Sequence, residues 1–334
     1  MNSMQDARLN EDALVLSGNY AETMRELVLP YLAEHRQQMT LPGWEGKPLA
    51  VSRFDAEEPR GILVLVHGFT SCVEKFSELI YSLLRNHWSV LAYDQRGHGY
   101  SWREKDLPDD SVVNVDHFED YVRDLEIVCR EILQKMPAPY VLFSHSMGGA
   151  VSGLFLEQHP DAFARAVFCA PMIAPQHGGI PIFLAEGLCR AEKALGRGHQ
   201  RIFFSKPYSD PETFEESNAS GRERFDWYND LRHRTAAYHT NGPTYQWTLE
   251  ALGVTGKLLA PGAVERIEIP VKVYGAETDQ SVLPEPQAAF AARLKNGGRT
   301  VVAGARHEIY RSSDAVLFPW WHEILAFYAG AVIG

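Results

Sequence analysis

Val141-Leu142-Phe143-Ser144-His145-Ser146-Met147-Gly148-Gly149-Ala150 is the stretch from which the reading of this chain begins. An apolar run of strand formers, Tyr140 to Phe143, stops at Ser146, small residues follow, and a helical pattern runs from Ala150 toward His159. A serine pinned between a strand end and a helix start is held on a strained turn. Its hydroxyl is pushed out of the sheet and a helix N-terminus lies beneath it, which is the geometry of a nucleophile elbow. The usual pattern is Gly-x-Ser-x-Gly, and Ser144 replaces the first glycine. That change adds only a methyl-sized group and one hydroxyl to satisfy.

Outward from the elbow the chain alternates between strands and helices. Ile62 to Val66, Ser89 to Tyr93, Tyr140 to Phe143 and Ala166 to Cys169 read as strands; Phe76 to Leu84, His117 to Leu133 and Ala150 to Glu157 read as helices. Upstream, Asp12 to Arg36 has helical spacing interrupted at Pro30, and Leu41 to Phe54 carries turn signals at Pro42-Gly43 and Glu45-Gly46 that predict a β-hairpin. The rhythm fails between Pro171 and about Ile267, where Ile182 to Leu195, Arg222 to Tyr238 and Tyr245 to Leu252 are helical. It resumes with strands at Val271 to Tyr274 and Arg299 to Val302 and helices at Pro286 to Leu294 and Ala315 to Ala329. The expected fold is α/β, a mostly parallel central sheet flanked by helices. Residues 1–170 and 268–334 would form the core, and 171–267 a helical lid over the carboxyl edge of the sheet, where such folds place ligands.

The totals bound the function. A net charge of −11 disfavours nucleic acid as a partner. The four cysteines, Cys72, Cys129, Cys169 and Cys189, are scattered, which argues against a disulfide framework or a zinc site, so no metal is expected. No apolar run approaches the ~18 residues of a membrane span. Met1 to Asn19 lacks the basic start and apolar middle of a signal peptide, so a cytoplasmic protein is expected. Nothing in the pattern bears on oligomeric state.

A serine nucleophile needs a base, an acid to orient it, and two N–H donors for the oxyanion. His307, after Val301-Val302 and before the final helix, is the candidate base. Asp279, in Gly275-Ala276-Glu277-Thr278-Asp279, is the candidate acid, with Glu277 as runner-up. The candidate donors are the N–H groups of Met147 and Phe69, the latter following Gly68, a residue that permits a backbone turn. His67, His98 and Asp94 read as structural. The order Ser146, Asp279, His307 is that of the α/β-hydrolase fold.

Together, His67-Gly68-Phe69, Asp94-Gln95-Arg96-Gly97-His98-Gly99-Tyr100-Ser101, Ser144 to Gly149, Ala276 to Asp279 and Ala305 to Ile309 resemble the serine-hydrolase branch of monoacylglycerol lipases and bacterial lysophospholipases. Gly242-Pro243-Thr244-Tyr245-Gln246-Trp247, Gly304 to Ile309, and Ala150 to Pro160 resemble the lysophospholipase L2 group in particular. The resemblance implies attack by Ser146 on a lipid ester, with hydrolysis or acyl transfer to follow, and no metal or organic cofactor. Activity should require neutral His307 and fall as the solution is acidified.

Substrate can be argued only from the lid, where Phe203, Phe204, Tyr245 and Trp247 are candidate substrate contacts. Ile180 to Leu188 and Ile202-Phe203-Phe204 lie near Arg190, Lys193, Arg197, Arg201 and Lys206. This stretch reads either as a face touching lipid head groups, which would make the protein peripheral at the inner membrane surface, or as a solvated helix with core aromatics. Two other functions stay open: a hydrolase of small esters or N-terminal peptide bonds, with Glu212, Glu215 and Glu216 to hold an amine, and a hydrolase-fold protein that binds without catalysis.

Overall fold

The computed structural model describes residue 10, residues 13–208 and residues 212–332; Asp12, the expected start of the lead-in, and residues 1–9 of the stretch inspected for a leader lie outside them. The lead-in comprises helix α1 (Tyr20–Thr23), a π-helical turn (Met24–Val28) and helix α2 (Leu29–His35). Its apolar residues Tyr20, Met24, Val28 and Leu32 recur every fourth position and are buried, the stripe of a helix packed on one face. Pro30 does not interrupt it. The proline sits in the first turn of α2, where a missing N–H costs least, and the widened π turn precedes it.

The expected hairpin is present, with an earlier start. Strand β1 (Arg36–Pro42) pairs antiparallel with β2 (Pro48–Phe54), Thr40 opposite Ala50. The chain continues through β3 (Gly61–Val66), α3 (Ser77–Arg85), β4 (Trp88–Tyr93), α4 (Glu119–Glu131), β5 (Tyr140–His145), α5 (Met147–Gln158) and β6 (Arg165–Cys169). Helices α6 (Ile182–Ala194), α7 (Arg222–Arg234) and α8 (Tyr245–Leu258) follow, then β7 (Val271–Thr278), α9 (Pro284–Arg293), β8 (Gly297–Arg306) and α10 (Asp314–Ala329). The eight strands form one sheet in the order β1-β2-β4-β3-β5-β6-β7-β8, antiparallel at β1, β2 and β4 and parallel from β4 onward.

Strands β3, β4 and most of β5 are buried on both faces, which explains their unbroken apolar runs. Along β3, Ile62, Val64 and Val66 face one layer, with Leu125 of α4 and Val151 of α5. Leu63 and Leu65 face the other, with Leu83 of α3 and Trp321 of α10. The carboxyl ends of β3, β5, β7 and β8 therefore open at one edge of the sheet, where His67, Ser146, Asp279 and His307 sit.

The helices between β6 and β7 differ in how they are held. Helix α8 runs six residues past the expected Leu252 and joins the core through Trp247, Ala251, Val254 and Leu258. Helix α7 is anchored by Arg224, whose side chain is fully buried. The guanidinium makes paired bonds to Glu78 of α3 (2.7 and 2.8 Å), one to Asp314 (2.8 Å), and others to the Val15 and Ser312 carbonyls (2.9 and 3.1 Å). Helix α6 is the outlier: Phe183 and Leu184 are 68% and 54% exposed. Among the described residues no helix is long and apolar enough to cross a membrane.

Candidate active site

Ser146 stands between the end of β5 and the first turn of α5 with φ 53° and ψ −121°, a conformation costly for any residue with a Cβ. The turn is held on both sides: the Ser146 N–H donates to the Cys169 carbonyl (3.1 Å), and the Ser146 carbonyl accepts from Gly149 and Met172 (both 2.8 Å). A side chain at Gly148 would collide with the Val66 carbonyl, so α5 can start this close to β3 only with glycine there. Ser144 is fully buried with its hydroxyl 3.5 Å from the Val167 carbonyl of the adjoining strand.

The structure brings Ser146, His307 and Asp279 into one hydrogen-bonded row. The Ser146 hydroxyl lies 2.8 Å from His307 Nε2, and His307 Nδ1 lies 2.9 Å from Asp279 Oδ2. Asp279 Oδ1 accepts from the N–H groups of Ser281 (2.9 Å) and Val282 (3.1 Å). Burial alone would raise the Asp279 carboxyl, but the hydrogen bond and charge of His307 and these two N–H donors hold it below the usual range. An ionised Asp279 fixes the His307 proton on Nδ1 and leaves Nε2 free to accept from the serine. Glu277 is exposed and accepts from the Gly304 N–H (2.8 Å), joining the ends of β7 and β8 instead.

Met147 opens α5 directly after the serine, and Gly68, the residue before Phe69, acts through space rather than through its backbone angles. A Cβ there would stand 2.8 Å from Ser146 Cβ and 2.9 Å from His145 Nδ1. The strained residue of that loop is Thr70, at φ 54°, whose hydroxyl donates to the Phe69 carbonyl (2.8 Å). His67 accepts from the Gln95 N–H at Nε2 (2.9 Å), which puts its proton on Nδ1 for the Gly68 carbonyl (2.8 Å). Burial pushes this imidazole down to about 4, so it stays neutral. Asp94 accepts from the N–H groups of Val73 (2.8 Å) and Tyr100 (2.9 Å), joining two loops.

Two elements have no signature in the local sequence. His145, beside the serine, reaches the His307 carbonyl through Nε2 (3.2 Å), with the ring centroids 4.9 Å apart. Burial, and next the proximity of His307, push it down to about 3. Glu308, the residue after His307, is buried and pairs with both Lys75 and Arg311. Burial works against its charge, yet these two cations hold its carboxyl well below the usual range. Arg311 is three residues from Glu308, but Lys75 and the His145–His307 contact join distant parts of the chain that the local pattern does not connect.

The four candidate substrate contacts occupy different surroundings. Trp247 is buried against Phe69, with ring centroids 4.1 Å apart, and donates to the Tyr121 hydroxyl (3.1 Å). Tyr245 packs with Cys189 and Ile202 beneath α6. Phe203 and Phe204 are 67% and 65% exposed, edge to face with each other. Of the five basic residues in this region, three are spent on carboxylates: Arg190 on Glu186 (3.4 Å), Arg197 on Glu192 (2.6 Å) and the largely buried Arg201 on Asp109 (2.7 Å). Glu212, Glu215 and Glu216 are exposed.

Comparison with known proteins gives three kinds of likeness. The hydrolase family model described as "Serine aminopeptidase, S33" matches residues 57–314. Lysophospholipase L2 of Escherichia coli K12 is 28% identical over 322 residues, covering 88% of this chain and 87% of that protein. Monoglyceride lipase of Rattus norvegicus is 31% identical over 116 residues, 34% of this chain and 36% of that one. Among solved structures, a soluble variant of Saccharomyces cerevisiae monoglyceride lipase superposes with a TM-score of 0.69 at 16% identity, covering 88% of this chain and 94% of that one. This last likeness is one of fold.

Proposed function

The chain belongs to the serine aminopeptidase S33 family of hydrolases, and from that premise we propose that it cleaves the carboxylic ester of a lipid, most simply a lysophospholipid or a monoacylglycerol, through an acyl-enzyme on Ser146. The observation that carries this reading is the Ser146–His307–Asp279 row at the carboxyl edge of the sheet. Ser146 Oγ attacks the ester carbonyl as its proton passes to His307 Nε2. The charge on the carbonyl oxygen falls to the N–H groups of Met147 and Phe69, and the imidazolium is stabilised by Asp279. His307 then returns the proton to the departing alcohol, and water repeats the cycle on the acyl-enzyme. His145 stays neutral and steadies the His307 backbone throughout.

The substrate class is supported by the match to lysophospholipase L2 along most of both chains, and by the exposed apolar residues of α6 with Phe203 and Phe204. We assign residues 171–267 as a cap whose α6 face rests on a lipid surface. Because most nearby cations are neutralised locally, the contact is driven by apolar area rather than charge. Replacing Phe183, Leu184, Phe203 and Phe204 together by serine is expected to weaken binding to phosphatidylcholine vesicles by about 100-fold. Wild-type binding should survive high salt. Binding that collapses in salt would place the contact on Lys193 and Lys206 instead.

The experiment that tests the function is a panel of lysophosphatidylcholine, lysophosphatidylethanolamine, monoacylglycerol, short p-nitrophenyl esters and aminoacyl amides. Preference for the first three supports the proposal. Preference for the amides would favour an aminopeptidase, the reading that the family description invites.

The acid limb of kcat/KM should be first order in protons. Within the triad only His307 must lose a proton to become active, since Asp279 is held below the usual carboxylate range; the buried His67 and His145 are held neutral. The sign for stability is separate: a depressed Asp279 stabilises the fold above the ordinary aspartate range and loses that contribution only as pH falls through its own lower value. A second-order acid limb near neutrality would contradict this assignment.

A further inference from the structure

We propose that Trp247 is a positioning residue for the oxyanion loop, so that helix α8 of the cap sets the geometry of catalysis from behind Phe69; the inference rests on the esterase reading above. Phe69 is half-buried and its ring is gripped from two sides. It packs on the Trp247 indole at 4.1 Å between centroids, the planes tilted by 38°, and stands nearly perpendicular to the His98 ring at 5.6 Å. His98 in turn abuts His67 (5.4 Å), which is tied by hydrogen bonds to Gly68 and Gln95. The loop needs such a grip. Thr70 is a β-branched residue at positive φ directly after the oxyanion donor, a conformation that persists only when its surroundings impose it. Gly68, just before the donor, packs directly on Ser146, so any relaxation of the loop moves the donor relative to the nucleophile.

Trp247 is itself held by two hydrogen bonds. Its indole N–H donates to the Tyr121 hydroxyl (3.1 Å) and its backbone N–H to the Thr244 hydroxyl (2.9 Å), which caps α8. Thr244 donates onward to Asn114 (2.5 Å), fastening the start of the helix to the loop after β4. This arrangement differs from a substrate-lining tryptophan, because the indole is buried behind the loop with its one donor already used.

The test uses p-nitrophenyl acetate, whose acyl group is too short to sense an acyl-binding groove. Trp247→Ala is expected to lower kcat by about 10- to 100-fold with little change in KM, since a displaced donor acts on the transition state. Inhibition by a trifluoromethyl ketone, whose hemiketal oxygen requires the same donors, should weaken by the same factor. Trp247→Phe should recover most of the rate, because it restores an aromatic face. Phe69→Ala, which removes the ring that Trp247 packs against, should lose a similar factor, and the double variant should lose little more than either single. Additive losses, or a Trp247→Ala variant whose only defect is a raised KM for long-chain esters, would overturn the proposal. If Ser146→Ala left the acetate activity intact, the failure would instead lie with the esterase assignment itself.

Discussion

Ser146→Ala is expected to reduce kcat for ester hydrolysis by about 10⁶-fold, the scale on which triad enzymes lose rate when the nucleophile is removed. The oxyanion donors remain in that variant, so a weak residual rate above water is expected, but no acyl-enzyme can form. Labelling by a fluorophosphonate should vanish with it. A variant keeping more than about a hundredth of the wild-type rate would place the nucleophile elsewhere. Stability offers an independent reading of the same residue. Alanine retains the Cβ and with it the strain of φ 53°. Ser146→Gly removes that strain and should be more stable than Ser146→Ala by about 1 kcal/mol while being equally inactive. The elbow then shows as a place where the fold gives up stability to hold a hydroxyl in position.

Arg224→Met is expected to cost about 3–5 kcal/mol of stability, because it leaves buried acceptors without their cation. The residue joins the N-terminal segment at Val15 and Ser17, α3 at Glu78, and the start of α10 at Asp314 to α7. Glu78 also accepts from the Tyr20 hydroxyl (3.0 Å), so loss of the guanidinium strands a carboxylate among apolar side chains. Burial already holds the Glu78 carboxyl above its usual range despite Arg224, and in the variant, without that cation, it should rise further. A group raised in this way favours the fold most at low pH, so the deficit should be larger at alkaline than at mildly acidic pH. Adding Glu78→Gln should recover part of the loss, since a neutral amide tolerates burial better than an unpaired charge. Denaturant titration at two pH values checks both statements. A deficit independent of pH would mean that packing of the arginine stem, rather than its charge, held the segments together.

Much of the architecture was legible because it is written locally. A buried parallel strand shows as an unbroken apolar run, and each strand from β3 to β6 was placed within two residues at its ends. Element ends were less legible where tertiary packing extends them. Helix α8 continues through Val254 and Leu258 because α5 offers an apolar face there. The lead-in passes Pro30 without a break because a π turn accommodates it.

By itself the sequence determined the strand–helix rhythm, the serine at a strand-to-helix turn, and the chain order of serine, carboxylate and histidine. These depend on side-chain period and turn chemistry, which neighbouring residues carry. Only the tertiary structure separates Asp279 from Glu277: they are two residues apart, but Asp279, just past the end of β7, reaches His307 while Glu277, still in the strand, reaches the Gly304 N–H. It also showed Gly68 to be a matter of space, buried Trp247 against Phe69, and consumed Arg201 in a pair with Asp109. Each of those outcomes joins residues tens to hundreds of positions apart. Contacts of that kind arise from packing, and packing leaves no trace in the local pattern of the chain.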